Sequence, residues 1–162
     1  MKPLAALTHL FGFIVLAITS GPAITGEPPQ LRGEAGAGFI LELFPQQRLQ
    51  MPAVLVLDRS GCVAWHHFGP ELDAALSALP SVLEASGPAA VCSEPRWPAL
   101  RKRLEAEGVT VNEAATRDRP VLIWYGSDTL CTSCSQAKAE YLPAISAALP
   151  NDAVVIVLEW KS

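Results

Sequence analysis

Two fully apolar runs flank a pair of cysteines near the end of the chain. Val121-Leu122-Ile123-Trp124-Tyr125 and Val154-Val155-Ile156-Val157-Leu158 each have the length and side-chain character of a strand buried on both faces. Between them come a turn signal, Gly126-Ser127-Asp128, then Cys131-Thr132-Ser133-Cys134, then a helical stripe of Ala137, Tyr141, Leu142, Ile145 and Leu149. Two such strands joined through a helix form a parallel crossover, with the CxxC at the start of the helix. This unit constrains everything else, because the rest of the chain must cover both of its faces. A CxxC in that context is the layout of a thiol–disulfide exchange site.

The chain has 162 residues, enough for one domain with its own core. Half of them are apolar and the net charge is −4, which excludes a disordered chain and gives no basic footprint for nucleic acid. Lys2 followed by the apolar stretch Leu4–Ile18 and the small residues Ser20-Gly21-Pro22-Ala23 reads as a signal peptide over residues 1–23. The competing reading is an uncleaved membrane anchor, although the run falls short of the roughly 20 residues that span a bilayer. Either way the domain is expected on the extracytoplasmic side, periplasmic or secreted, where disulfides persist. Residues 24–35 read as an exposed tether, and residues 36–162 as the folded domain.

Within that domain Phe39, Ile40, Leu43 and Phe44 mark a short helix that Pro45 ends. Ala53–Leu57 is an apolar strand, Asp58-Arg59-Ser60-Gly61 a turn, and Cys62–Phe68 a second strand of an antiparallel hairpin. Val63, Trp65 and His67 are expected on one face of it and Ala64, His66 and Phe68 on the other. Leu72, Ala75, Leu76 and Leu79 define a helix that passes Pro80 and runs to Ala85. Gly87-Pro88 marks a linker, Ala89–Cys92 a short strand, Trp97–Glu107 a helix with Pro98 in its first turn, and Val109–Val111 another brief strand. Pro143 is expected to bend the helix that follows the CxxC.

Two pieces of the chain resemble the thioredoxin superfamily, in particular its secreted thiol–disulfide oxidoreductases. Arg119-Pro120-Val121-Leu122-Ile123-Trp124-Tyr125 through Cys134 looks like the family's central strand, active-site loop and helix start. Met51-Pro52 with Ala53-Val54-Leu55-Val56-Leu57-Asp58-Arg59-Ser60-Gly61-Cys62 looks like its late hairpin, preceded by its cis-proline. The order is reversed, because the family places the CxxC half first. The resemblance therefore implies an α/β fold, a thioredoxin-like mixed sheet flanked by helices, circularly permuted. Residues 87–92 would then join the family's usual termini, with Ala89–Cys92 at the sheet edge opposite the hairpin. In that layout Cys62 and Cys92 lie at opposite edges, beyond the roughly 7 Å that a disulfide tolerates between α-carbons. A bridge between them would count against it.

At the start of a helix, free backbone N–H groups and the helix dipole favour the thiolate of the first cysteine. Cys131 is accordingly the expected nucleophile and Cys134 the resolving thiol. The resemblance further implies a cis Met51–Pro52 bond facing the CxxC. It gives Met51, Pro52, Thr132 and Ser133 as substrate-facing residues, and no cofactor or metal beyond the redox-active Cys131–Cys134 pair. The implied partners are protein thiols or disulfides and a recycling redox partner. The family's buried acid in the central strand is missing here, and Asp128 and Glu140 are the nearest acids. Two other readings stay open. One is a metal-handling module, for copper above all, built on Cys131 and Cys134. The other is a redox-inactive binding module whose CxxC is a structural disulfide. A haem-attachment reading fails because Ser135 stands where CxxCH needs histidine. His66 and His67 alternate across a strand and so do not converge on one metal.

Overall fold

The computed structural model describes residues 30–85, Cys92 and residues 96–161. The expected signal segment, residues 1–23, and the start of the tether lie outside the described residues. A five-stranded mixed sheet runs in the order β1-β5-β4-β2-β3. Its members are β1 (Gln30–Ala35), β2 (Ala53–Leu57), β3 (Val63–Phe68), β4 (Val121–Gly126) and β5 (Val154–Trp160). β4 lies parallel to β5, and β5 parallel to β1, while β2 pairs antiparallel with both β4 and β3.

Helices cover both faces, which is why the central strands are apolar at every position instead of alternating. On one face α1 (Gly38–Leu43) and α3 (Trp97–Ala106) bring Phe39, Ile40, Leu100 and Leu104 onto Leu55, Ile123, Tyr125 and Ile156. On the other, α2 (Asp73–Ala85) and α5 (Thr132–Ala148) bring Leu79, Leu142 and Ile145 onto Val54, Val56, Leu122 and Val155. α2 runs through Pro80 and α5 through Pro143 without interruption. The polar stretch before β4 holds a one-turn helix, α4 (Glu113–Thr116), capped by the Asn112 side chain, which accepts from the Ala114 N–H at 2.9 Å.

Four expectations need correction. First, the second half of the expected tether is β1, the edge strand. Gln30, Arg32 and Glu34 alternate with Leu31, Gly33 and Ala35, but the inward residues are mostly too small to mark a buried face. What holds the strand is ladder pairing with β5 over six residues. Second, Val109–Val111 is not a strand. It is an extended connection whose two valines enter the core. The Val109 side chain comes within 2.9 Å of where a β-carbon on Gly33 would lie, so glycine is what lets the connection close over β1. Third, the faces of β3 do not alternate cleanly. The ladder with β2 slips between Val56 and Leu57, so that Val56 opposes Trp65 but Leu57 opposes Val63. This irregularity turns Val63 onto the α1/α3 face while Trp65 stays on the other. Fourth, Cys62 and Cys92 are disulfide-bonded, with α-carbons 5.9 Å apart. The edge where Cys92 was expected is taken by β1. The chain before α3 instead passes the β2–β3 turn, where the N–H groups of Arg96 and Trp97 both donate to the Gly61 carbonyl at 2.8 and 2.9 Å. The expected strand Ala89–Cys92 lies, but for Cys92, outside the described residues, and the bridge counts against the permuted layout that put Cys92 at the far edge.

Candidate active site

β4 ends at Gly126, and the chain then turns outward and re-enters the fold as α5. Cys131 is the N-cap of that helix and sits in an extended conformation. Its sulfur accepts from the Cys134 N–H at 3.1 Å, so the sulfur does the work that a serine or aspartate oxygen does at most helix starts. Cys131 and Cys134 form a disulfide with α-carbons 5.1 Å apart. Their surroundings differ. Cys131 is half-buried, and Thr132 and Ser133 are exposed, whereas Cys134 is 1% exposed and packed under the helix. The Ser133 hydroxyl lies 3.3 Å from the Cys131 sulfur. An incoming thiolate can therefore reach Cys131 and not Cys134. On opening, the charge on Cys131 would rest against N–H and O–H donors already aimed at it.

The loop between Gly126 and Cys131 is fixed by polar residues whose role the sequence did not reveal. Ser127 is only 2% exposed, and its hydroxyl accepts from the Leu130 N–H at 3.1 Å and lies 3.3 Å from the Thr129 hydroxyl. One turn of α5 beyond Cys134, Lys138 reaches back to Asp128 and lies 3.4 Å from Glu159 of β5. Glu159 also accepts from the Asp128 N–H at 3.0 Å. This lysine with two carboxylates ties loop, helix and strand together beside the disulfide. A signal existed in Glu159, the one acid in an apolar strand, but nothing in the spacing pairs it with Lys138.

The Met51–Pro52 bond is cis. Pro52 is buried at the start of β2, its carbonyl accepting from the Gly69 N–H at 2.8 Å, while Met51 is half-buried. Ala53 pairs with Tyr125, which brings Pro52 level with Gly126 across the ladder. A β-carbon built on Gly126 would lie 3.7 Å from the Pro52 β-carbon, 3.7 Å from the Cys134 β-carbon and 3.5 Å from the Trp124 indole nitrogen. The cis-proline Pro52, Cys134 and Trp124 thus converge on one glycine, whose missing side chain leaves the space between them.

Asp128 is engaged with Lys138, and Glu140 is exposed. Tyr125 points to the opposite face, edge-on to Phe39 with ring centroids 5.2 Å apart. Its hydroxyl is buried without a hydrogen-bond partner, and burial with the nearby Glu107 charge pushes its pKa up to about 12. His66 and His67 lie on β3. Burial lowers both pKa values, and His67 adds to the effect on His66. Cys62 and Cys92 sit at the other end of the sheet and contribute nothing to this site. Among the described residues no three of His, Cys, Asp and Glu cluster in a way that would hold a metal ion, and no helix is long and apolar enough to cross a membrane. No family model, no curated protein and no solved structure matches this chain.

Proposed function

We propose that this chain is an exported thiol–disulfide oxidoreductase of thioredoxin-like build, exchanging disulfides with the cysteines of other proteins. One observation carries the reading. A helix-capping, accessible Cys131 is bonded to a buried Cys134, and the cis Met51–Pro52 bond abuts Cys134 across Gly126. The order of elements is a reordering of the thioredoxin plan in an amended form. The edge strand β1 stands first, the hairpin β2–β3 with its cis-proline second, and the CxxC unit last. The two disulfides and the expected signal segment agree with an extracytoplasmic setting.

Exchange needs no cofactor. In the reducing direction the Cys131 thiolate attacks a substrate disulfide. A bond forms between Cys131 and one substrate sulfur, and the other leaves as thiolate. Cys134 then gives up its proton and attacks the Cys131 sulfur, closing the internal disulfide and releasing the second thiolate, so two electrons pass to the substrate. The oxidising direction is the same path reversed.

The test is a redox titration of Cys131 and Cys134 against a glutathione series, with metal content measured on the same sample. A reversible two-electron transition without bound metal supports the proposal. A pair that stays oxidised throughout in the native state would make the disulfide structural. Stoichiometric copper lost in Cys131→Ser would make the site a metal carrier.

A further inference from the structure

Beside the cis-proline the surface opens into a cavity of about 460 Å³ lined by Gln47, Arg48, Gln50, His66, His67 and Phe68. It adjoins the site through two contacts. The Gly69 N–H, next after Phe68, bonds the Pro52 carbonyl, and Gln50 reaches within 3.2 Å of where a Gly69 side chain would begin. Phe68 itself stands opposite Ala53 in the ladder.

The lining has a definite chemistry. It contains one guanidinium, two imidazoles and two amides, and no carboxylate. Among the described residues Arg48 has no acid within ion-pair distance, whereas Arg59, Arg101, Arg103 and Arg117 each have one. His67 bonds the Gly69 backbone, while its Nε2 is buried and lacks a hydrogen-bond partner. A buried ring nitrogen without a partner costs free energy unless something arrives to meet it. Phe44 and Phe68 hold the His66 ring, with centroids 4.5 and 5.5 Å away, so this imidazole is presented on a rigid aromatic base.

We propose that this cavity is a subsite for a carboxylate side chain of the polypeptide undergoing exchange, with Arg48 and His67 as its anchors. The inference rests on the oxidoreductase reading for the identity of the polypeptide. The subsite would select substrates with Asp or Glu close to the exchanging cysteine. A polypeptide is favoured over a small anion because the cavity reaches Phe68, one strand from Ala53 and the cis-proline, at the end of the sheet that leads into Cys131. A carboxylate there would pair with the free guanidinium, and its charge would offset the burial that disfavours a protonated His67, so that the Nε2–H donates to it.

Two measurements on the full chain test this. Single-cysteine peptides differing only in Glu, Gln or Lys within three residues of the cysteine are reacted with the oxidised protein, and second-order exchange rates are compared. The Glu peptide should outpace the Lys peptide by about three- to ten-fold, and Arg48→Gln and His67→Gln should each shrink that ratio toward one. Equal rates, or a ratio unmoved in both variants, overturn the subsite. In parallel a cysteine-free Glu peptide is titrated while the His66 and His67 ring resonances are followed. Ring shifts with the Glu peptide and not with its Gln or Lys counterparts support the subsite. No shift, or a shift with inorganic phosphate alone, overturns it. If the wild type exchanges with neither peptide nor dithiothreitol, the oxidoreductase reading fails, and the ring titration still decides whether the cavity takes a carboxylate.

Discussion

The two ends of the sheet each carry a disulfide, and the two could hardly differ more. At the C-terminal end of β4, Cys131–Cys134 closes a loop of two intervening residues, with one sulfur within reach of solvent and exposed Thr132 and Ser133 beside it. At the opposite end, roughly 20 Å away along a six-residue strand, Cys62–Cys92 spans a sequence separation of 30. There Cys62 is 5% exposed, its N–H bonds Asp58 Oδ1 at 3.0 Å and its sulfur takes the Ser60 hydroxyl at 3.1 Å. A short-range disulfide at a helix start constrains the unfolded chain less than a long-range one, which agrees with the exchange role proposed for it. The long-range one is held in a turn already braced by its own hydrogen bonds. Chain separation and burial set the pair proposed to react apart from a long-range staple.

The largest effects expected should break this division if it is wrong. Cys131→Ser is expected to reduce exchange with a model disulfide substrate to the uncatalysed background while costing no more than about 2 kcal/mol of stability, because the closed loop is so short. Cys134→Ser should instead accumulate a mixed disulfide at Cys131, visible by mass, since the resolving step is lost. Exchange that survives Cys131→Ser, with trapping at Cys62 or Cys92, would reverse the assignment.

Removing the staple should have the opposite profile. Cys62→Ser together with Cys92→Ser is expected to cost roughly 3–4 kcal/mol of stability by the loop-closure argument. The folded fraction should keep its exchange rate per molecule. Denaturant unfolding of the double variant, paired with an exchange assay below its transition, measures both. A loss of rate without a loss of stability would make the second disulfide part of the redox cycle.

How far the sequence reaches follows the same physics. The central strands were legible because burial on both faces leaves an unbroken apolar run, as in Val121–Tyr125 and Val154–Leu158. The CxxC at a helix start was legible from the turn before it and the stripe after it. β1 was not, because an edge strand with one neighbour can be held by backbone pairing, and the inward positions of Gln30-Leu31-Arg32-Gly33-Glu34-Ala35 carry only Leu31, Gly33 and Ala35, too little apolar bulk to stand out. Misplacing it carried over to the cysteines. With the true edge strand unseen, Ala89–Cys92 stood in for it, and Cys92 was sent to the wrong side of the sheet. The fold class survived this error because helices on both faces were independently marked. At the site, the cysteines and Met51-Pro52 could be picked out residue by residue. Ser127, Lys138 and Glu159 could not, since their value lies in contacts between loop, helix and strand that no local pattern encodes.

Ser127 offers a finer cut between the two ends. Ser127→Ala removes the acceptor for the Leu130 N–H in a part-buried loop, at a cost of about 1–2 kcal/mol. Because that loop delivers Cys131 to its cap position, exchange should slow several-fold while the Cys62–Cys92 end is untouched. Amide hydrogen exchange read residue by residue should show Leu130 losing protection and the Asp58–Cys62 turn keeping it. Equal loosening at both ends would mean that Ser127 acts on global stability and not on the loop.

The smallest effect belongs to the stapled end. Arg59 makes a two-pronged bond to Asp152, at 2.7 and 2.9 Å, and donates to the Asp118 carbonyl at 2.8 Å, linking the β2–β3 turn to the connections before β4 and β5. The hydrogen bond from Arg59, reinforced by its charge, holds the Asp152 carboxyl below its usual range against a partial opposing effect of burial. A carboxyl whose folded pKa is depressed contributes stability above its unfolded value, and that contribution fades as pH falls through the folded one. Both side chains are well exposed, 53% and 41%, so solvent screening limits the pair to about 0.5 kcal/mol. Arg59→Gln should therefore lower stability slightly at neutral pH. The gap to wild type should close toward about pH 3 and below as Asp152 protonates, with no change in exchange rate at any pH where both proteins are folded. A rate change in this variant would couple the two ends of the sheet and undo the separation between them.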